Sequence, residues 1–397
     1  MKKLGCIYVP TLVIFAITSA FPQRDPWFWP FAVNSIWNLA IHQNAQYIAA
    51  DIAPHARYSV DVNYLLKEDS GDPQVNVYKN TSWGAGRCTN NGFLFSMHFP
   101  NYLVVPDARQ GSTPNNNLAF LMLNGMVRQN NVLARCNAGG PVYMRSWYKD
   151  IDPKGDGVTN SVGQGASGMS SLGGTIRKGE LVSDEPIRHA LKFTIWADEY
   201  FYYQSNKSSC YRWPARACDS YADQSGKYRG INPKLVMGIL LAIKPEVSLS
   251  SQNIETEPGK KIFAAMQTYG GYIVEDAAWD CWYFITEKGV REEVQNKYGV
   301  NLKTGTNDGP LKRDMDKIVK LLHIIDNNSA DNIGGGPTDD LDNRLADQAP
   351  PFDQATKLKP AAFRRNLSQS AKSQFETYTL KGQRIYLKHN NAYRGAS

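Results

Sequence analysis

The chain has 397 residues, 42% hydrophobic and 11% aromatic, and carries a formal net charge of +7. Residues 357–397 hold nine Lys and Arg and one Glu, and two lysines lie at positions 2 and 3, so residues 4–356 carry −3. The length is sufficient for a large core in one or two domains, and the slightly acidic body argues against nucleic-acid binding.

The N-terminal segment, residues 1–20, has the pattern of a secretory signal peptide. Two lysines precede an apolar run over residues 4–17, and small residues lead to a cleavage position after Ala20. A membrane anchor is the alternative, but the run is short for a span and contains Pro10. We therefore predict a secreted or cell-surface protein, and no later segment is apolar enough to suggest a membrane span.

Residues 21–333 are predicted to form one β-rich main domain. From Asn34 to Ile243, short apolar or alternating runs are separated by Gly, Pro and Asn clusters, as is typical of strands and turns. Residues 260–269 and 311–325 instead have apolar residues at helical spacing. We predict a mainly β fold, a jelly-roll-like β-sandwich body with a few packed helices.

Five cysteines follow the predicted signal peptide. In an exported protein, Cys210 and Cys218 are close enough in sequence to close a local loop, and we predict a disulfide between them. Cys88 and Cys136 are a second candidate pair. Cys281 would then be a buried free thiol.

The segment DIDPKGDG resembles a calcium-binding loop, with Asp150, Asp152 and Asp156 as candidate oxygen ligands. Lys154 occupies one ligand position, however, and no Glu closes the loop. A structural calcium ion is therefore one alternative. We predict no other cofactor, because the spacing of Cys and His does not suit zinc.

Residues 165–193, GASGMSSLGGTIRKGELVSDEPIRHALKF, combine a Gly-rich run with Glu180 and His189. We reject a phosphate-binding loop because no helix pattern follows the glycines. His189 alternates with apolar residues in the strand-like run 187–196. Each of the two residues has a catalytic interpretation. In the structural interpretation, His189 is a core histidine and Glu180 is the partner of a nearby Arg.

A second acidic group, Glu275, Asp276 and Asp280, lies in the turn between two predicted strands. Clustered carboxyls raise each other's pKa, as a general acid requires, although a solvated hairpin turn has the same pattern. Hydrolysis of a glycosidic bond commonly uses two carboxyl groups. We therefore predict Glu180, His189, Asp276 and Asp280 as the candidate catalytic residues.

Aromatic residues are dense between positions 196 and 213, and flat rings of this kind stack on sugar faces. Tyr202 and Trp213 belong to this group, and Arg188 and Arg216 are candidate partners for charged groups of a substrate. We predict these four residues as substrate-binding residues. The alternative is that the rings belong to the core.

The C-terminal part divides into a Gly/Pro/Asp-rich linker at residues 334–356 and a basic tail at residues 357–397. Within the tail, TYTLKGQRI at residues 377–385 resembles the sorting domain that type IX secretion systems recognise, in a truncated form without the last strand. The resemblance implies secretion machinery as a partner. An ordinary basic extension is the alternative.

Four segments of the body resemble the signature blocks of a family of secreted bacterial proteins of unassigned activity. The blocks are GASGMSSLGGTIRKGEL, PIRHALKF, YRWPA and YGGYIVEDAAWD. The resemblance places Glu180, His189, Trp213 and Asp276 within the blocks and implies no role for them.

Together these patterns predict a secreted enzyme that acts on polysaccharide, in the first place a glycoside hydrolase. Glu180 would be its acid or base, and Asp276 or Asp280 the partner carboxylate. One alternative is a polysaccharide lyase with His189 or a Tyr as base, and with Arg188 or Arg216 binding the uronate. The other is a non-catalytic protein that binds a glycan or acts at the cell surface.

Overall fold

The structure is a computed structural model that describes residues 24–110, 115–304 and 309–352. The predicted signal peptide and the predicted basic tail, including the segment 377–385, lie outside the described residues. Within the described ranges, the chain forms fifteen β-strands and five α-helices. No helix in this part of the chain is long and apolar enough to cross a membrane, as the sequence predicts.

The strands are short, and most have between two and seven residues. They are β1 Tyr47–Ala49, β2 Arg57–Lys67, β3 Gln74–Lys79, β4 Phe93–His98, β5 Leu118–Leu121, β6 Val127–Asn130, β7 Val142–Met144, β8 Lys149–Ile151, β9 Gly163–Gln164, β10 Met169–Ser170, β11 Leu191–Trp196, β12 Leu240–Ile243, β13 Gly271–Ala277, β14 Cys281–Glu287 and β15 Leu322–Ile325. The helices are α1 Pro106–Gln110, α2 Ala197–Tyr200, α3 Glu257–Thr268, α4 Val290–Tyr298 and α5 Pro310–Lys320.

Ten strands form one mixed sheet in the order β1-β15-β12-β13-β11-β14-β2-β5-β6-β8. Its centre contains three parallel pairs, β11 with β13, β14 with β2, and β2 with β5. A three-stranded sheet has the order β4-β3-β7, and β9 pairs with β10 alone. The central parallel strands position the candidate functional residues described below.

The three-stranded sheet packs on β2 and β5 through a core cluster of its own. Val77 and Met144 of the small sheet meet Tyr64 and Phe120 of the large sheet in this cluster. Burying an apolar side chain of this size contributes about 1.5–3 kcal/mol. This sheet-on-sheet packing, with helices around the rest of the large sheet, confirms the predicted mainly β, sandwich-like body.

Helix α3 has the start and the apolar face that the sequence predicts. The Thr256 side chain accepts a hydrogen bond from the backbone N–H of Gly259 at 3.0 Å, which caps the first turn. Ile262, Phe263 and Met266 lie on one side of the helix and are buried in the main core. The predicted helix over residues 260–269 is therefore confirmed, with an earlier start at Glu257.

The predicted helix over residues 311–325 is only partly correct, because α5 ends at Lys320 and residues 322–325 form β15. The strand pairs with β12 on one side and with β1 on the other. Ile324 and Ile325 are β-branched and buried, and their place between two strands outweighs the helical period of the sequence.

The structure confirms one predicted disulfide and contradicts the other. Cys88 and Cys136 are bonded, whereas Cys210, Cys218 and Cys281 are free, buried thiols. The Cys210 thiol donates to the Gln204 carbonyl at 3.3 Å, and the Cys210 and Cys218 thiols are in hydrogen-bond contact with no bond between their sulfurs. The prediction of a Cys210–Cys218 disulfide is therefore wrong, and the prediction for Cys281 is confirmed.

The described part of the predicted linker, residues 334–352, packs against the beginning of the body. Nη1 of Arg344 donates to the carbonyls of Ala40 at 2.8 Å and Ile333 at 2.9 Å. The guanidinium of Arg24 lies 3.8 Å from the ring centroid of Phe352. The packed body therefore includes residues as far as Phe352.

Candidate functional site

The Gly-rich stretch is fixed across the central strands of the large sheet. Nζ of the buried Lys192, on β11, donates to the carbonyls of Ser170 at 2.7 Å and Ser171 at 3.1 Å. Asn63, on β2, donates to the same Ser171 carbonyl at 2.9 Å. The first part of the stretch lies beside a group of carboxyls, and the last part lines a cavity.

The cavity has a volume of about 600 Å³ and contains both residues that the sequence singled out in this stretch. Glu180 and His189 line it, and so does Arg188. Its other walls include the rings of Trp29 and Trp37. The two predicted catalytic residues therefore face one common space.

Glu180 and His189 form an ion pair at the edge of the cavity. His189 Nδ1 donates to the Ala190 carbonyl at 2.9 Å, and its Nε2 donates to both Glu180 carboxylate oxygens at 3.1 Å. Because both ring nitrogens face acceptors, the ring is an imidazolium. The Glu180 carboxylate also accepts from the Arg177 backbone N–H at 2.6 Å.

The pair has opposite pKa shifts. Burial alone would raise the pKa of Glu180, but the attraction and hydrogen bonds of His189 and the backbone N–H of Arg177 outweigh it and lower that pKa. Burial would lower the pKa of His189, but the attraction and hydrogen bond of Glu180 raise it. Both groups are therefore charged at neutral pH.

The prediction that His189 lies on a strand is wrong. Strand β11 begins at Leu191, and the backbone N–H of Ala190 donates to the Trp37 carbonyl at 2.8 Å instead of to a neighbouring strand. Lys192 is fully buried, although the predicted alternation places it opposite to the apolar side chains. The Gly-rich stretch covers this face of the sheet and offers backbone carbonyls to Lys192, which is why a charged side chain is buried there.

Asp276 lies far from Glu180 and His189. In the parallel pair of β11 with β13, Leu191 faces Gly271 at one end and Ile195 faces Asp276 at the other. At about 3.3 Å per residue, the four steps from Leu191, where β11 begins, to Ile195 correspond to roughly 13 Å. Two carboxyls that flank one glycosidic bond are at most about 9.5 Å apart, so Glu180 and Asp276 are not such a pair.

Asp276 instead belongs to a group of four acidic residues, which we call the carboxyl cluster and which consists of Asp61, Asp219, Glu275 and Asp276. Within it, Asp276 accepts hydrogen bonds from Tyr221 at 2.7 Å and Tyr228 at 3.0 Å. All four acidic residues are partly exposed. Oε2 of Glu275 and Oδ2 of Asp219 are nevertheless buried, so the cluster lies only partly open to solvent.

Asp219 and Asp276 interact directly within the cluster. Burial raises the pKa of Asp219 to about 8, and the charge of Asp276 and a hydrogen bond between the two carboxyls add to this effect. Burial also raises the pKa of Asp276, although its hydrogen bonds with Tyr221 and Tyr228 oppose the shift. The two carboxyls therefore share a proton near neutral pH.

Glu275 and Asp61 are the other two members of the cluster. Burial raises the pKa of Glu275 well above its usual range, and the charges of Asp61, Asp219 and Asp276 raise it further. Burial, with the charge of Asp107, raises the pKa of Asp61 to about 7. Both carboxyls therefore keep their protons to a higher pH than exposed carboxyls do.

Asp280 is separate from both sites. Its carboxylate contacts Nδ1 of His55 at 3.0 Å. Burial lowers the pKa of His55 to about 4 in spite of this contact, so the imidazole is neutral. The predicted role of Asp280 as a partner of Glu180 therefore has no support in the geometry.

The predicted substrate-binding residues are distributed over the molecule. Arg188 lines the cavity and pairs with Glu185 at 2.6 Å. Arg216 donates to the Gly168 carbonyl at 2.6 Å, on the first part of the Gly-rich stretch. Trp213 and Tyr202 are half-buried, and Trp213 packs against the main core.

The three aspartates of the calcium-like segment have protein donors as partners. Asp150 forms two hydrogen bonds of 2.6 Å with Arg128, and Asp152 accepts from the Lys154 backbone N–H at 2.8 Å. Asp156 accepts from the backbone N–H and the hydroxyl of Thr159. Over the described ranges, no group of three or more His, Cys, Asp and Glu residues has an arrangement that would hold a metal ion.

The sequence predicts no role for Asp61 and no catalytic role for Asp219, and it places Glu275 in the second acidic group without making it a candidate catalytic residue. A signal for Asp61 exists, since Val60-Asp61-Val62-Asn63 places two polar side chains on one face of a strand with apolar residues between them. Asp219 lies in a loop without periodicity, so tertiary structure alone places it beside Asp276.

Comparisons with family models, with curated proteins and with solved structures find no match to this chain.

Proposed function

We propose that the protein is a secreted, polysaccharide-active enzyme that hydrolyses a glycosidic bond at the carboxyl cluster. The observation that supports this proposal is the pair formed by Glu275 and Asp61. Both side chains are partly exposed, and the charge of an ionised Asp61 raises the pKa of Glu275, so one carboxyl holds a proton while the other is ionised. Glycoside hydrolysis needs one carboxyl that is protonated and one that is ionised at the same pH.

In this proposal, Glu275 is the general acid and protonates the leaving-group oxygen. Asp61 is the second carboxylate and acts either as nucleophile or as the base that activates water. Asp219 and Asp276 do not fit these roles, because they are hydrogen-bonded to each other and Asp276 also accepts hydrogen bonds from Tyr221 and Tyr228. Their charge instead helps to keep Glu275 protonated.

Aromatic side chains near the cluster support a carbohydrate as substrate. Trp279 is 42% exposed, and its indole N–H donates to the Tyr283 hydroxyl at 3.1 Å. Tyr283 interacts electrostatically with Asp61, which places the two rings at the edge of the cluster. Exposed flat rings of this kind stack on the apolar faces of sugars.

A lyase that uses His189 as base has less support. Both nitrogens of this ring donate to acceptors, and the pKa of His189 is raised by Glu180. An imidazolium in an ion pair is a poor proton acceptor. The geometry at the carboxyl cluster therefore favours the hydrolase over this alternative.

Incubation of the mature protein with a panel of neutral and acidic polysaccharides tests the proposal. We expect new reducing ends without the unsaturated sugars that a lyase releases. Glu275→Gln and Asp61→Asn should each reduce turnover by about 10²–10⁴-fold. Asp198→Asn is a matched control, because Asp198 is 41% exposed and pairs with Arg229.

The outcomes separate the three functions. Equal turnover in the wild type, Glu275→Gln and Asp61→Asn would remove the cluster from the mechanism. Unsaturated products would identify a lyase. Binding of a polysaccharide without any product would leave a non-catalytic glycan-binding protein.

A further inference from the structure

We propose that the cavity beside Glu180 and His189 is a binding site for a small organic anion whose carboxylate is carried on a ring. The site is separate from the carboxyl cluster, since the two lie at opposite ends of β11. Its ligand class therefore does not depend on whether the cluster hydrolyses a glycosidic bond.

The charge of the cavity wall favours an anion. Four cationic side chains line the cavity, and only two acidic ones do: the cations are Arg177, Lys178, Arg188 and His189, and the acids are Glu180 and Glu185. His189 and Arg188 neutralise the two acids in direct contacts. Lys178 is 58% exposed, and its ion pair with Glu287 is long at 3.9 Å, while Glu287 makes its shorter contact with Arg177 at 2.9 Å.

Arg177 supplies an unused donor. It is 4% exposed, its Nε donates to Glu287 at 2.9 Å, and its Nη1 donates to the Trp27 carbonyl at 2.5 Å. Its buried Nη2 has no hydrogen-bond partner among the described residues. A buried donor of this kind is costly unless it is paired, and a small shift of the Arg177 side chain toward the cavity would let a ligand carboxylate pair with it.

The remaining wall fits a flat ring. Trp29 and Trp37 line the cavity together with Gly173 and Gly174. Trp37 is 1% exposed and packs closely on Gly173, so the rings open to a ligand are those of Trp29 and of Phe28, which is 60% exposed and also lines the cavity. The volume of about 600 Å³ is within the usual range for small-ligand sites and accommodates one or two rings.

Two anions that each carry a carboxylate on a ring test which kind of ligand binds. Glucuronate represents sugar acids, and benzoate represents aromatic acids. Glucose and benzyl alcohol are the matched neutral probes. Calorimetry or tryptophan fluorescence on the whole mature protein measures the binding. We expect at least one anion to bind saturably, about tenfold or more tightly than its neutral counterpart, since a charge-assisted hydrogen bond is lost in the latter.

Lys178→Gln tests the wall directly, because an exposed side chain can be changed without loss of the fold. We expect it to weaken anion binding by about fivefold or more, as the loss of a nearby opposite charge predicts. Lys234→Gln is the control, since Lys234 is 45% exposed and pairs with Asp326. Its affinity should equal that of the wild type.

Three results would overturn the proposal: no saturable binding of either anion, equal affinity for the neutral probes, or equal affinity in Lys178→Gln. The double variant Asp61→Asn, Glu275→Gln separates this proposal from the hydrolase. It should lose turnover and keep anion binding, so a failure of one proposal is visible independently of the other.

Discussion

The backbone of Gly165 passes directly against the side chain of Glu275. A Cβ at position 165 would lie 2.7 Å from the Glu275 Cβ, and Gly165 has φ +50°. Glycine is therefore required here both by the close approach and by the left-handed backbone conformation. The Gly-rich stretch thus restricts the conformations of the Glu275 side chain, whose carboxyl we propose to be catalytic.

Gly165→Ala should damage both the fold and the cluster. Alanine at positive φ costs about 1–2 kcal/mol, and the displaced Glu275 should reduce turnover by about 10²-fold. Chemical denaturation and turnover measure the two effects. Gly125→Ala is the control, because Gly125 also has positive φ, +82°, but open space around its Cβ position. Equal turnover in the two variants would contradict the expected role of Gly165.

Asp61→Asn should stabilise the protein at alkaline pH while it abolishes turnover. The pKa of Asp61 is raised from 3.8 to about 7 in the fold, so the stability that it contributes is fully present below 3.8 and is lost as the pH rises through about 7. Asparagine removes the buried charge, and we expect a gain of roughly 1–3 kcal/mol at about pH 8. Urea denaturation at about pH 4 should show no gain, and a loss at the higher pH would refute the expectation.

The Glu180–His189 pair should stabilise the protein most strongly in mildly acidic solution. Its contribution is fully present between the ordinary pKa values of 4.5 and 6.5. It falls at lower pH through the lowered pKa of Glu180, and at higher pH through the raised pKa of His189. The double variant Glu180→Gln, His189→Gln should lose about 1.5–3 kcal/mol at about pH 6 and less at about pH 9. The same loss at both values would contradict an ion pair.

The disulfide between Cys88 and Cys136 should contribute substantially to stability. It closes a loop with a sequence separation of 48 residues and lies beside the core of the small sheet. Cys88→Ser with Cys136→Ser should lower the unfolding free energy by about 2–4 kcal/mol. Thermal unfolding with and without a reductant measures it: the reductant should destabilise the wild type and leave the double variant unchanged. An unchanged wild type would contradict the prediction.

Local sequence signals predict the parts of the fold that depend on local structure. Ile262, Phe263 and Met266 at helical spacing identify α3 correctly, although the sequence pattern places its start three residues too late. The same period fails at residues 322–325, where two neighbouring strands determine the conformation. Pairing partners lie far away in the chain, and local spacing carries no information about them.

The candidate site shows the same contrast between what local sequence signals predict and what depends on long-range pairing. Glu180 and His189 are nine residues apart, and the sequence predicts both as candidates that prove to be in contact. Asp61 and Asp219 join Glu275 only through the order of the strands and the course of a loop. Prediction of the carboxyl cluster therefore requires the sheet topology, in which β2 and β13 are separated by two strands.

The contact of Arg24 with Phe352 brings the two ends of the packed body close together. Because these two positions touch, a short linker could join them, and new termini could be opened at the exposed turn beside Gly125, where Leu123 is 63% exposed. Such a circularly permuted chain would keep every strand pair of the large sheet. The architecture is thus defined by which strands are neighbours, and the order in which the chain visits them is open to rearrangement.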